Sequence, residues 1–241
     1  VCGMPVKIIA SFGPSSLKPK IINQMYEKGL EIARLKSSFY VAKDLEKTIR
    51  LIRKHSDLKI MVDLEGCEIR LYGGKEKNLK KGDSFWVGFK KNGDFYFNHD
   101  FYDKVKVGDT FTYDKEAAKI TIKKKENHKV LCTTNKPILL RQGKGFNPGN
   151  KIFVSGKISE KDESLLPTIN KLKVEIVALS FTQTPKDVLN LKKIINPKIK
   201  ICSKIENQAV LNNLSKIIKV SDLVVVARGD LTSAFQEKKV P

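Results

Sequence analysis

The rhythm of apolar residues changes twice along this chain, and that change limits its fold more than any other feature. Up to about residue 66, short apolar runs alternate with stretches of helical spacing: "VKIIASFGP" (6–14), "KPKIINQMYEKG" (18–29), "LEIARLKSS" (30–38), "AKDLEKTIRLIRKH" (42–55) and "LKIMVDLEG" (58–66). Strands alternating with helices of roughly 10–14 residues predict βα units around a parallel sheet. From Cys67 to Lys151 the helical spacing vanishes. Segments such as "GDSFWVGF", "GDFYFNH", "AKITIKKK" and "HKVLCTT", broken by Gly, Asn and Asp, predict a small antiparallel β module. Then the first rhythm returns. "SEKDESLLPTINKL" (159–172) opens on Ser-x-x-Asp, a capping-box-like helix start. "VEIVALSF" (174–181), "KIKICSKIE" (198–206) and "SDLVVVARGD" (221–230) read as strands, with "PKDVLNLKKII" (185–195) and "NQAVLNNLSKII" (207–218) as the helices between them. The expectation is an α/β chain of six βα-type strands with an all-β insertion after the third. Its parts would be residues 1–66, 67–151 and 152–241.

Composition narrows the partners. The chain has 241 residues, 41% of them hydrophobic and 30% charged, which suits a globular protein with a proper core. No uninterrupted run of about 18 apolar residues occurs, so no membrane span is expected, and no signal-peptide pattern opens the chain. The first residue is Val1 rather than methionine, so the beginning is read as trimmed. Cys2, Cys67, Cys132 and Cys202 form no CxxC pair and are read as reduced thiols. The formal charge of +20 favours anionic partners. Because the lysines are spread along the whole chain, without clustering or interleaved aromatics, a general surface bias is the simpler reading, and nucleic acid is disfavoured.

Polar residues collect where the apolar runs stop: Ser11, then Arg34 and Lys36, Asp63 and Glu65, Ser180 beside Phe181, Lys204 and Glu206, Arg228 and Asp230. One such residue reads as a solvated strand end or a salt bridge. Repetition on strand after strand points to a site, because parallel α/β folds bind ligands at the C-terminal ends of their strands. Glu206 and Asp230, beside the small Gly229, suit a hard divalent cation with positions left open for substrate oxygens. Lys204 lies two residues before Glu206 and therefore shares its face of the strand. A cation there would stabilise negative charge developing on a phosphorylated or enolate-like substrate.

Eight blocks then fall in a recognisable order: "KIIASFGPSS", "GLEIARLKSS", "VDLEGCEIR", "GKGFNPG", "ISEKD", "VALSF", "KICSKIEN" and "SDLVVVARGDL". Together they resemble the N-terminal part of pyruvate kinase, from about Lys7 to Pro241. The resemblance implies a (β/α)8 TIM-type barrel, here incomplete at about six strands, with 67–151 as the mobile lid. It implies phosphoryl transfer from phosphoenolpyruvate to ADP, with Mg2+ or Mn2+ and usually K+. Carried over residue by residue, Glu206 and Asp230 would ligate the divalent metal, and Lys204 would stabilise the phosphoryl group and enolate. Arg34 and Arg70 would contact phosphates, and Lys144 would reach the nucleotide. Backbone amides near Arg228, Gly229 and Asp230 would hold the substrate carboxylate. Ser38, Asp63 and the carbonyl of Leu64 would form the monovalent-cation site, with Glu68 the acidic residue that accompanies K+ dependence. A cytoplasmic setting follows, organellar if an N-terminal extension has been removed, as does a homo-oligomer for a full-length protein.

The departures from the family pattern are specific. Lys36 and Phe39 stand for an asparagine and a histidine, Leu64-Glu65 for Thr-Lys, and Cys67 for a proline. Asp114-Lys115-Glu116 replaces Asp-Asp-Gly, Gln183 a basic residue and Thr232 a glycine. The Lys36 ammonium is therefore expected to replace K+. Strands seven and eight and the C-terminal domain of that family are absent, so the chain is expected to be a fragment of a longer polypeptide rather than a shortened relative stabilised by a partner. A metal-dependent aldolase or lyase of the same barrel group is disfavoured by the insertion. The non-enzyme alternative is a weakened copy or anion-binding scaffold.

Overall fold

A computed structural model describes residues 6–89, 91–114, 118–149, 151–206 and 208–234. The chain begins with β1 (Ile8–Ser11), α1 (Pro19–Glu27), β2 (Leu30–Lys36), α2 (Ala42–His55) and β3 (Lys59–Leu64). The insertion supplies β4 (Leu71–Gly73), β5 (Lys77–Leu79), β6 (Ser84–Gly88), β7 (Phe95–Phe97), β8 (Thr110–Tyr113), β9 (Ala118–Glu126), β10 (Lys129–Thr134), β11 (Ile138–Leu140) and β12 (Phe146–Asn147). After it come α3 (Glu160–Leu172), β13 (Ile176–Leu179), α4 (Pro185–Ile194), β14 (Lys200–Ile205), α5 (Gln208–Leu211), α6 (Leu214–Val220), β15 (Leu223–Val226) and α7 (Arg228–Ala234).

The six strands outside the insertion form one parallel sheet in the order β1-β2-β3-β13-β14-β15. Helices cover its outer face because their sequences present an apolar stripe: Leu45, Ile49 and Ile52 of α2, spaced four and three residues apart, are fully buried. The inner face carries a small apolar layer of Ile32, Met61, Ile176, Ala178 and Cys202. The insertion does not disturb the sheet. β3 and β13 lie side by side, Met61 opposite Ile176 and Leu64 opposite Leu179.

The insertion folds around its own aromatic core, which includes Phe89, Phe97, Phe101, Phe111 and Phe146. Its seven-stranded sheet runs β12-β8-β9-β10-β6-β7-β4, and β5 pairs with β11 apart from it. The two ends of that order meet: Arg70 bridges Gly145, and the Phe146 amide donates to the Ile69 carbonyl at 2.8 Å. The sheet is thus a nearly closed barrel, with few edges left unpaired. It is antiparallel as expected except where β6 meets β7 in parallel, Gly88 opposite Tyr96.

Three local expectations need correction. The stretch 207–218 is not one helix; it breaks between α5 and α6 at Asn213, whose side chain donates to the Gln183 carbonyl at 3.0 Å. The strand expected over 221–230 ends at Val226, and Arg228, Gly229 and Asp230 form the first turn of α7. At α3, Ser159 caps the Asp162 amide at 3.2 Å, but the Asp162 carboxylate reaches across to other loops. Lys115 and Glu116 lie outside the described residues, and so does the side chain of Thr232. Among the described residues, no helix is long and apolar enough to cross a membrane.

Candidate active site at the strand ends

Strand register alone brings the expected residues to one end of the parallel sheet. Lys36 pairs with Asp63, Leu64 with Leu179, and Ile205 with Val226, so the residues that follow each of these pairs surround one cleft. Its volume is about 380 Å3, and its lining includes Arg34, Asp63, Arg70, Lys204, Glu206 and Asp230. Lys36, Ser38, Leu64 and Glu68 also face it.

Lys204 is the centre of the cleft. Its ammonium lies 2.8 Å from Glu206 Oε1, 3.2 Å from Asp63 Oδ1 and 2.8 Å from Ser180 Oγ. With only 12% of its side chain exposed, Lys204 would be costly to charge without those partners. Glu206 and Asp63 outweigh burial and hold it at about 12, charged throughout the neutral range. Glu206 experiences the opposite balance. Burial, reinforced by Asp230, pushes its carboxyl upward although Lys204 pulls it down. A bound cation would relieve that strain, so the carboxylate pair fits a divalent metal by charge and by hard oxygen donors. No cluster of three or more His, Cys, Asp or Glu groups arranged for a metal occurs among the described residues.

Phe181 fastens Glu206 from the other side. Its amide donates to Glu206 Oε2 at 2.7 Å, with a backbone φ of +50° that bulky residues rarely adopt. Its ring packs into the core of the insertion. One residue thus joins Glu206 to the neighbouring β barrel.

Two arginines face the cleft. Arg34 lies 3.8 Å from Asp63 Oδ2, and its buried Nε has no hydrogen-bond partner. Such an orphaned cationic donor suits an anion. Arg70 donates to Glu68 Oε2 through Nε at 2.9 Å and lies 2.7 Å from it through Nη2, while its Nη1 donates to the Gly143 carbonyl at 2.7 Å. Burial, opposed by Arg70, pushes Glu68 up to about 7. Lys144 is not in the main cleft. It pairs with Asp114 at 2.7 Å in an adjoining cavity of about 210 Å3, which shares Glu68, Arg70, Phe181 and Asp230 with the cleft. Arg228 and Gly229 open α7, and the Asp230 amide is already engaged with the Ala227 carbonyl at 3.1 Å.

Two features lie beyond sequence reasoning. Glu65 is 3% exposed, accepts from Tyr72 Oη at 2.6 Å through one oxygen and leaves the other without a partner. Asp162 is fully buried and bonds to the loops after β2 and β3. Neither tyrosine nor capping aspartate carries a local signal for these long-range contacts.

Comparison with known proteins adds the family. Residues 4–241 match the family described as "Pyruvate kinase, barrel domain". Among curated relatives, the pyruvate kinase of Clostridium perfringens is 31% identical over 98% of this chain and 53% of its own length. Those of Staphylococcus saprophyticus and Borreliella burgdorferi are 30% and 28% identical over 98% of this chain, covering 43% and 51% of their own lengths. The chain thus spans about half the length of the curated relatives it matches.

Proposed function

Since this chain belongs to the pyruvate kinase family, we propose that its cleft serves phosphoryl transfer from phosphoenolpyruvate to ADP, giving pyruvate and ATP in glycolysis. The observation that supports this reading best is the buried Lys204 ammonium, held by Glu206, Asp63 and Ser180 beside the orphaned Arg34 donor. In this reading Arg34 and Arg70 hold phosphate oxygens. Lys204, already fixed, offers its charge to the phosphoryl group in transit and to the enolate left behind, without reorganising during the reaction. Glu206 and Asp230 hold Mg2+ or Mn2+, which supplies further positive charge to the reacting oxygens. The first turn of α7 at Arg228 and Gly229 takes the substrate carboxylate, and Lys144 meets ADP in the adjoining cavity. Residues 67–151 act as the lid between barrel segments 1–66 and 152–241. The setting is cytoplasmic and the assembled protein a homo-oligomer.

Monovalent-cation use is a separate proposal. Ser38, Asp63, Leu64 and Lys36 all face the cleft, and Lys36 sits opposite Asp63 in the sheet. The Lys36 ammonium takes the place of K+, so activity does not depend on added K+. A steep rise with K+ would overturn this point alone. A second reading, a weakened copy that binds anions without turnover, is favoured by one observation: Glu65 places a buried carboxylate oxygen without a partner beside the cleft.

The test is calorimetric titration of Mn2+, with and without phosphoenolpyruvate, into this chain and into Glu206→Gln. Binding that tightens with phosphoenolpyruvate and disappears in the variant is expected. Equal binding by both proteins would remove Glu206 from the site.

A further inference from the structure

The first turn of α3 carries a buried charge that capping does not explain. Ser159 satisfies the Asp162 amide through its own hydroxyl, so the Asp162 carboxylate is not needed to cap that amide. Yet Asp162 is a carboxylate with no exposed surface, an arrangement that is costly unless its oxygens are bonded. They are bonded, and all three donors belong to other loops. Ser37 Oγ at 2.8 Å and the Glu65 amide at 3.2 Å meet Oδ1, and the Gly66 amide at 2.8 Å meets Oδ2.

Those loops have a shared position. Ser37 lies between Lys36 and Ser38 in the turn after β2, and Glu65 and Gly66 follow Asp63 and Leu64 at the end of β3. Lys161, the neighbour of Asp162, donates to the Ser38 carbonyl. The same few residues are where the chain leaves the parallel sheet for the insertion. Gly66 there has φ of +60°, and an added Cβ would lie 2.3 Å from the Ser180 carbonyl oxygen. The Gly66 carbonyl meets His99 Nε2 of the insertion at 3.0 Å. Since a carbonyl only accepts, Nε2 carries the proton. The crossing from sheet to insertion is therefore pinned on one side by Asp162 and on the other by His99.

We infer that Asp162 is the positioning residue of the lid hinge: one carboxylate fastens the crossing at Glu65–Gly66 and, through Ser37, the loop that presents Lys36 and Ser38 to the cleft. Its role at the hinge stands on these contacts alone. Its effect on substrate rests on the phosphoenolpyruvate reading above.

The test compares backbone hydrogen exchange in the whole chain, in Asp162→Asn and in the milder Ser37→Ala. An asparagine nitrogen must face at least one of the three donors. Charge-assisted bonds are lost, and exchange across 63–68 should quicken by about tenfold or more. The β9–β10 hairpin should be unaffected, and Ser37→Ala should fall between. Unchanged exchange at 63–68, or equal acceleration over the whole chain, overturns the inference. The second readout is Mn2+ titration. Affinity for Mn2+ alone should be unchanged, because Glu206 and Asp230 are untouched, while the gain from phosphoenolpyruvate should shrink by about tenfold. Faster hinge exchange with a full phosphoenolpyruvate gain overturns the positioning role in the site. If the unaltered chain shows no such gain, the catalytic reading fails, and exchange still decides the hinge.

Discussion

At the scale of single residues, buried charge decides what this molecule tolerates. Lys204 neutralises two buried carboxylates, Glu206 and Asp63, which are 1% and 5% exposed. Lys204→Met takes the cation from Glu206 and leaves Asp63 with Arg34 alone, at 3.8 Å, and the expected loss of stability is about 3 kcal/mol or more. Mn2+ should restore part of it, because a metal held by Glu206 and Asp230 would return a positive charge to Glu206; thermal unfolding with and without Mn2+ measures both effects. Asp162 gives a pH signature. Burial raises it to about 6 despite its three donors. Between about pH 4 and 6 the native chain holds this proton and the unfolded chain does not, so stability from this group falls as pH rises through that window. Asp162→Asn should flatten the slope of unfolding free energy there by about one proton; an unchanged slope would mean that Asp162 ionises normally. The thiols are a third case. Burial pushes Cys132 and Cys202 up to about 12 and Cys67 upward as well. Iodoacetamide at pH 8 should label these three only after unfolding, which peptide mapping would show.

At the scale of elements, what the sequence made legible depended on how local the cause was. The α2 stripe and the strands β2, β3, β13 and β14 follow from side-chain spacing and stand where spacing put them. The gathering of Lys204, Glu206, Asp63 and Arg34 was legible because parallel register carries strand ends to one rim. Contacts made across loops were not. The split at Asn213 depends on the Gln183 carbonyl, 30 residues away in sequence, and Arg-Gly-Asp left no mark that its own residues begin a helix. Gly66 shows the same limit. Sequence shows a glycine; only the fold shows that Ser180 closes the space beside it. Gly66→Ala combines a positive φ with a backbone clash, so it should destabilise the chain by about 2–4 kcal/mol. Gly82 also has positive φ but meets nothing within 4 Å; substitution there should cost only about 1 kcal/mol. Chemical denaturation of the two variants separates crowding from conformation.

At the scale of the whole molecule, the two large sheets differ in how they treat their edges. The insertion joins β4 to β12 and closes on itself. Among the described residues the parallel sheet does not close, and β1 and β15 are its outer strands. Interior strands are almost wholly buried, β13 at every position, whereas Ile8 and Val226 on the outer strands are 51% and 52% exposed. Unpaired backbone next to exposed aliphatic side chains is a template for another strand. It also flanks the proposed site, since β15 leads directly into Arg228 and Asp230. This chain by itself should therefore self-associate, and sedimentation at rising concentration should show the average mass increasing. Lysines placed on the edges, Ile8→Lys with Val226→Lys, should shift that association to about tenfold higher concentration, consistent with the cost of crowding like charges at a strand edge. A control pair of lysines on exposed helix positions, such as Leu189→Lys with Ile218→Lys, removes similar apolar surface but leaves the edges alone. If the control disperses the chain equally well, general hydrophobicity drives association and the open edges do not. If only the edge pair does, the outer strands are the sticky surfaces.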